Sequence, residues 1–176
     1  MNIYLDATTL IALGTVGSLN LLETFNGTPV VVPAVQSEIS TEPAETNCHR
    51  FFESETVVQT MPAEESHVSR AQSILDTTVV IGDVQLLACV LFHIGHDESV
   101  AVVSDDRRVR TVTEGLGATI TGTIGVLVRA VEEGYDHDQA LDLLQRLDAN
   151  GLHMTGELRV TARRLIIEAA EACRSE

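Results

Sequence analysis

The feature that most narrows the folds open to this chain is the alternation of short aliphatic runs with segments of helical period. "NIYLD" at the start, "PVVVP" between two prolines and "VAVVS" from Val100 are too short for helices and read as buried strands. Each leads into a stretch with helical spacing: "ATTLIALGTVG", "AVQSEI" and "RRVRTVTEGLG". "TVVQT" and "ATITG" supply two further strands, and "LNLLETF" a second short helix. "TEPAETNCHRFFESE" reads as a connection with a short helix, and Ala63 to Asp76 as a polar helix with Val68, Ala71 and Leu75 on one face. "GDVQLLACVLFHIG" reads as a largely buried helix from near Asp83, and "TIGVLVRAVEEG" as a helix with Thr123 as N-cap. "DHDQALDLLQRLDANG" and "TGELRVTARRLIIEAAEA" are amphipathic. Strands alternating with helices mean βαβ units, right-handed crossovers and a parallel sheet. Aromatics make up only 3% of the chain and Trp is absent, so the core is Val, Leu, Ile and Ala, the residues of a sheet covered on both faces. With no linker or repeat in sight, one α/β domain over residues 1–176 is expected.

Several classes are disfavoured at once. No apolar run approaches the ~20 residues that span a bilayer, and no basic segment precedes an apolar one at the start, so a soluble, cytoplasmic protein without a membrane role is expected. Cys48, Cys89 and Cys173 are too scattered for a disulfide framework or thiolate zinc site, and Cys89 in "LLACVLF" reads as a small buried hydrophobe. His93 and His96 in "HIGHD" straddle a glycine at a helix end, where a capping or surface role is the expectation rather than a metal pair. The 26 acids outnumber the 11 bases, every base is Arg, and the net charge is −15. That balance favours solubility and discourages non-specific nucleic-acid binding. An acid-rich, Lys-free composition is similar to that of proteins from salt-loving archaea, and a halophilic cytosol is expected; an ordinary acidic protein has the same signature.

The acids that matter sit where sheet elements end. Asp6 closes the first strand, Asp105 and Asp106 the strongest one, Glu38 follows the second, and Asp83 opens a helix. In a parallel sheet, ligands bind at the carboxyl ends of the strands, so these acids can converge on one rim. Converging carboxylates repel unless a cation neutralises them, and oxygen-preferring Mg²⁺ or Mn²⁺ suits such a pocket. A metal there can deprotonate water and stabilise charge on a phosphate. Taken singly, Asp6 and Asp83 read as helix caps and Glu38 as an exposed acid. Asp105 differs, because a cap needs one acid and the chain supplies two.

The blocks "YLDATTLIAL", "VVVPAVQSEI", "GDVQLLACVL" and "VVSDDRRVR", in that order, resemble the four acidic motifs of PIN-domain nucleases. "GATITGTIGVLVRAVEEG" is similar to the "GTxGxL" segment of a toxin-like PIN subfamily found beside small antitoxin-like genes. The resemblance implies a three-layer α/β/α PIN-like fold with a central, mostly parallel sheet of about five strands. It implies a Mg²⁺- or Mn²⁺-dependent ribonuclease that cleaves single-stranded RNA to a 5′-phosphate and a 3′-hydroxyl. Asp6, Glu38, Asp83 and Asp105 match the acidic ligands, with Asp6 and Asp105 as the main direct ones. Thr8, Ser104 and Asp106 match supporting positions, and Arg110 the basic residue that often follows. Where the subfamily commonly has "GE", this chain has Gly82–Asp83, a carboxylate one methylene shorter.

RNA binding by so acidic a chain needs local cations. Arg107 and Arg110 share a helical face beside the acids and can grip phosphate, while Arg108 points elsewhere; a solvated basic turn fits the same residues. Near molar salt, repulsion is screened within ~3 Å. The acid excess also invites a basic partner, which the family resemblance implies is a small basic antitoxin. The last helix carries an apolar stripe, read first as packing on the domain's own core, and a homodimer is also expected. A receiver domain would need a Lys that the chain lacks, and a structure-specific DNA nuclease would need a long insertion. The alternative within the family is a catalytically inactive binding or scaffold module.

Overall fold

The computed structural model describes residues 1–173. Five strands, β1 (Asn2–Leu5), β2 (Thr28–Val31), β3 (Val58–Gln59), β4 (Val100–Val103) and β5 (Thr119–Thr121), form one sheet in the order β3-β2-β1-β4-β5. Every neighbouring pair is parallel. The helices are α1 (Ala7–Thr15), α2 (Pro33–Glu38), α3 (Ala44–Phe52), α4 (Glu65–Ile74), α5 (Gly82–Gly95), α6 (Arg107–Gly115), α7 (Thr123–Glu132), α8 (His137–Ala149) and α9 (Gly156–Cys173). They flank the sheet in a three-layer α/β/α, PIN-like arrangement, as the alternation of elements predicts.

The strand order determines where a site can form. The chain steps outward from β1 through β2 to β3, then returns to the other side of β1 for β4 and β5. That reversal, between β1 and β4, opens a crevice at the carboxyl ends of the two strands. Leu5 pairs with Val103, and the Asp6 N–H donates to the Val103 carbonyl at 3.0 Å. The strands therefore end level, and Asp6 and Ser104 emerge side by side.

Packing explains why these short runs become strands. Ile3, Tyr4 and Leu5 of β1 and all four residues of β4 are buried, without the alternation of a half-exposed strand. Leu10 and Leu13 of α1, Leu86 and Val90 of α5, Val126 and Leu127 of α7, and Leu143, Leu144 and Leu147 of α8 complete the main core. A satellite cluster joins Ala71 of α4 and Leu75 just beyond it to Val84, Leu87 and Leu91 of α5, with Val68 packed against it. The predicted apolar face of α4 is thus the one buried. In α9, Ala162, Ile166 and Ala169 enter the core, while Leu158, Val160 and Ile167 stay exposed. No helix of the described residues is long and apolar enough to cross a membrane.

Four local expectations differ from the structure. "LNLLETF" forms a 3₁₀ helix, Leu19–Thr24, and β3 is two exposed residues long. Thr123 is the first residue of α7 rather than its N-cap, which is the extended Gly122, and its hydroxyl is engaged by an acid described below. His93 is neither capping nor on the surface. It is 3% exposed, its Nδ1 lies 2.7 Å from Glu98 Oε2, and its Nε2 lies 2.9 Å from the Tyr4 hydroxyl and 3.3 Å from Asn2 Nδ2. With a carboxylate at Nδ1 and two donors at Nε2, the consistent form is the Nδ1–H tautomer, donating to Glu98 and accepting from Tyr4. Burial pushes the Tyr4 hydroxyl far up from its ordinary pKa, which keeps it a donor. His96, by contrast, caps α5 from the surface, its Nδ1 2.7 Å from the Phe92 carbonyl. Tyr4→Phe should therefore lower stability by about 1 kcal/mol or more, by loss of a buried hydrogen bond. His96→Ala should stay within about 0.5 kcal/mol, as surface changes do. Urea midpoints of the two variants check both, and equal effects would contradict the assignment.

Candidate functional site

Asp6 occupies the N-cap position of α1, yet its side chain makes no capping bond. It is 1% exposed, and its Oδ2 accepts from Thr8 Oγ1 and from Ser104 Oγ, each at 2.6 Å. Its Oδ1 has no protein donor among the described residues. No buried side-chain polar atom among the described residues lacks a partner, so Oδ1 keeps contact with solvent. The same two hydroxyls reach onward. Thr8 Oγ1 accepts from the Asp105 N–H at 3.2 Å, and Ser104 Oγ accepts from the Asp106 N–H at 3.0 Å.

The adjacent acids after β4 divide the work. Asp106 is the N-cap of α6, its Oδ1 accepting from the Arg108 and Val109 N–H groups at 2.8 and 2.9 Å. Asp105 is held by α7: Oδ1 accepts from the Thr123 N–H at 2.9 Å, and Oδ2 from the Thr123 hydroxyl, with Thr9 Oγ1 at 3.5 Å. Gly122 makes this approach possible, since a Cβ there would lie 2.5 Å from Asp105 Oδ1 and 2.8 Å from Arg110 Nη1. Arg110 Nη1 donates to the Ser104 carbonyl at 2.9 Å, bracing the loop from the other side.

Glu38 and Asp83 come from α2 and α5. Glu38 Oε1 accepts from the Gly82 N–H at 2.6 Å, and a Cβ at Gly82 would sit within 2.9 Å of both Glu38 oxygens. Asp83 is half-buried, and its carboxylate has no donor among the described residues. Its pKa is pushed up to about 6, by burial first and then by Asp6, Asp106 and Glu38, with Arg108 opposing the rise. Arg108 also donates from Nη2 to the Leu75 carbonyl. Among the arginines of "RRVR", the one acting on the acids is thus Arg108, while Arg107 is exposed and Arg110 is tied to backbone.

Asp6, Glu38 and Asp106 thus lie near enough to Asp83 to act on its carboxyl, and Asp105 is linked to Asp6 through Thr8 Oγ1. Among the described residues, no three Asp, Glu, His or Cys side chains form a ready chelating group. The donor chemistry still fits a hard divalent cation: all the groups are oxygens, Asp6 Oδ1 and Asp83 face no protein competitor, and the mutual repulsion calls for positive charge. Thr9, Thr123, Gly82, Gly122 and Arg108 were not singled out as site residues by the sequence. The "GTxG" spacing of Gly122, Thr123 and Gly125 was the available signal, a polar side chain between two residues that admit close neighbours.

A family model described as a PIN domain matches residues 2–168. Among curated proteins, none matches the chain.

Two outcomes follow from this geometry. Asp83 holds its proton to higher pH in the folded protein than in the unfolded one, whose carboxyl lies near 3.8. Between those values the native state binds more protons, so stability falls as pH rises from about 4 to about 6. In EDTA, Asp83→Asn should accordingly raise the melting temperature above pH 7 and have little effect below pH 4; the same gain at both ends would contradict the shift. Thr123→Val removes a hydroxyl donor from Asp105 and should destabilise by about 1.5–3 kcal/mol, while Thr123→Ser retains most of the stability, as read by denaturant unfolding.

Proposed function

The chain belongs to the PIN-domain family, whose members are generally nucleases, and we propose that it is a divalent-cation-dependent endoribonuclease acting on single-stranded RNA. The observation that carries this reading is the half-buried Asp83 beside the strand-order reversal, whose carboxyl is pushed up to about 6 by burial first and then by Asp6, Asp106 and Glu38. Perturbed carboxyls in a crevice are a mark of functional sites rather than of solubilising surface.

In this mechanism Asp6, through its open Oδ1, and Asp83 are the first choices to hold Mg²⁺ or Mn²⁺. Glu38 and Asp105, each already accepting from Gly82 or Thr123, complete the acidic set. That weighting differs from the one the family motifs imply, where Asp105 is a main direct ligand. When bound, the cation would lower the pKa of water and neutralise charge developing on the phosphate. The chain's own part is positional. Thr8 and Ser104 fix the Asp6 carboxylate, Thr123 fixes Asp105, and Asp83 must lose its proton before it can serve, so ion affinity falls below about pH 6. Arg107, exposed beside the acids, is the side chain for a substrate phosphate. Arg110 supports the loop through the Ser104 carbonyl. The acidic rim also suits a small basic antitoxin, which would compete with RNA.

One observation favours a non-cleaving binding module instead: both Asp105 oxygens are engaged by protein donors. Activity separates the readings. An end-labelled unstructured RNA should be cut in Mg²⁺ or Mn²⁺ but not in EDTA, and a DNA of the same sequence should be spared. Asp6→Asn and Asp83→Asn should each reduce cleavage to background. Absence of cleavage with either ion, from low salt to molar KCl, would remove the nuclease reading.

A further inference from the structure

A cleft of about 360 Å³ adjoins the acidic rim, with Thr8, Asp105 and Asp106 in its lining and Glu38 outside it. One wall is Ile11 and Ala12 of α1, and the opposite wall is the α8–α9 connection, Asn150 to His153. Arg107, exposed, is also in the lining. None of the α8–α9 residues belongs to the four acidic blocks. The volume lies at the small end of ligand pockets, and the mixture of apolar floor and polar edge is what such pockets have.

The far wall is firmly built. Arg146 Nη2 donates to the Val16 carbonyl at 2.7 Å, tying α8 to the end of α1. The Leu152 N–H returns to the Leu147 carbonyl at 3.0 Å across Gly151, which has φ +113°. Asn150 Nδ2 closes on the Arg146 carbonyl at 2.7 Å, leaving its Oδ1 as an acceptor. Leu152 packs on the core, Met154 is buried beyond it, and Arg159 pairs with Asp148 at 2.6 Å between α8 and α9. His153 is thus an exposed ring on an anchored loop, across the cleft from aliphatic side chains and near an exposed guanidinium.

Those are the groups that hold unpaired bases. Single-stranded RNA is held by rings and guanidinium planes that stack on splayed bases, together with hydrogen bonds to base edges. We infer that the cleft between α1 and the α8–α9 loop is the subsite for one unpaired nucleotide beside the scissile phosphate. The base lies against Ile11, Ala12 and Leu152 under the His153 ring, Arg107 meets a flanking phosphate, and Asn150 Oδ1 accepts from the base edge. The α8–α9 loop then sets which nucleotide is preferred. This inference rests on the nuclease reading for its substrate class, but its test is a binding measurement.

Fluorescein-labelled ten-nucleotide oligo(U), oligo(C) and oligo(A) are titrated into the Asp6→Asn protein in EDTA at low salt and followed by anisotropy. One homopolymer should bind several-fold more tightly than the others. His153→Ala should weaken that complex roughly tenfold, and His153→Phe, which keeps a ring, should restore most of it. In the unsubstituted protein, the preferred nucleoside monophosphate should shift the His153 ring signals in NMR spectra. If no decamer binds, or if His153→Ala leaves affinity and preference unchanged, the subsite is refuted. RNA cleavage with unchanged affinity and cut-site preference in His153→Ala overturns the subsite and leaves the nuclease. Binding through His153 without cleavage by the native chain does the reverse.

Discussion

The site depends on one buried negative charge. Asp6 is 1% exposed, and an ionised carboxylate taken out of water is costly by several kcal/mol unless donors replace the lost hydration. Thr8 and Ser104 supply two hydroxyls at 2.6 Å, and its place ahead of α1 sets it in the favourable field of a helix start. Because those hydroxyls also accept from the Asp105 and Asp106 N–H groups, the end of β1 and the loop after β4 are locked to each other through side chains as well as through the sheet. Register between the central strands and placement of the acids are one problem with one solution.

Much of this was legible locally. Short aliphatic runs and helical spacing are properties of a few neighbouring residues, so β1, β2, β4 and most helices fall where periodicity puts them. The acids were legible because a parallel sheet directs its strand ends to one edge. What could not be read was which partner each polar group would choose. Asp105 and Asp106 are adjacent and chemically identical, yet one caps α6 and the other is taken up by Thr123, 18 residues on. Thr123 reads as a cap because threonine is a favoured N-cap residue ahead of a helical run, but its hydroxyl goes to the Asp105 carboxylate instead. His93 misled for the same reason, since its partners Tyr4 and Asn2 lie 89 and 91 residues away. The close approaches at Gly82 and Gly122 are likewise facts of three dimensions.

Net charge is a poor guide to what happens at this rim. A chain at −15 repels polyanions at long range, but recognition at contact is decided by a few groups. Arg108 moderates Asp83 and donates to the Leu75 carbonyl, Arg110 is absorbed into the loop, and Arg107 is the exposed arginine that lines the cleft. The α8–α9 wall adds a ring and an amide without adding negative charge. A nucleic acid approaching from that side meets Arg107 and His153 as well as Asp105 and Asp106.

The arrangement of acids argues against an origin in solubility. Acids that serve only to hydrate a surface are best spread apart and exposed, where ionisation carries no penalty. Most of the 26 acids in this chain fit that description. Asp6 and Asp83 do not: one is buried, the other half-buried with a carboxyl raised to about 6, and both lie at the strand-order reversal. Asp6, Asp106 and Glu38 act against ionisation of Asp83, and Arg108 offsets that only in part. Such local conflict with an otherwise consistent fold is what functional sites display. Asp105, saturated by Thr9 and Thr123, marks the edge of that conflict, and the open oxygens of Asp6 and Asp83 mark its centre.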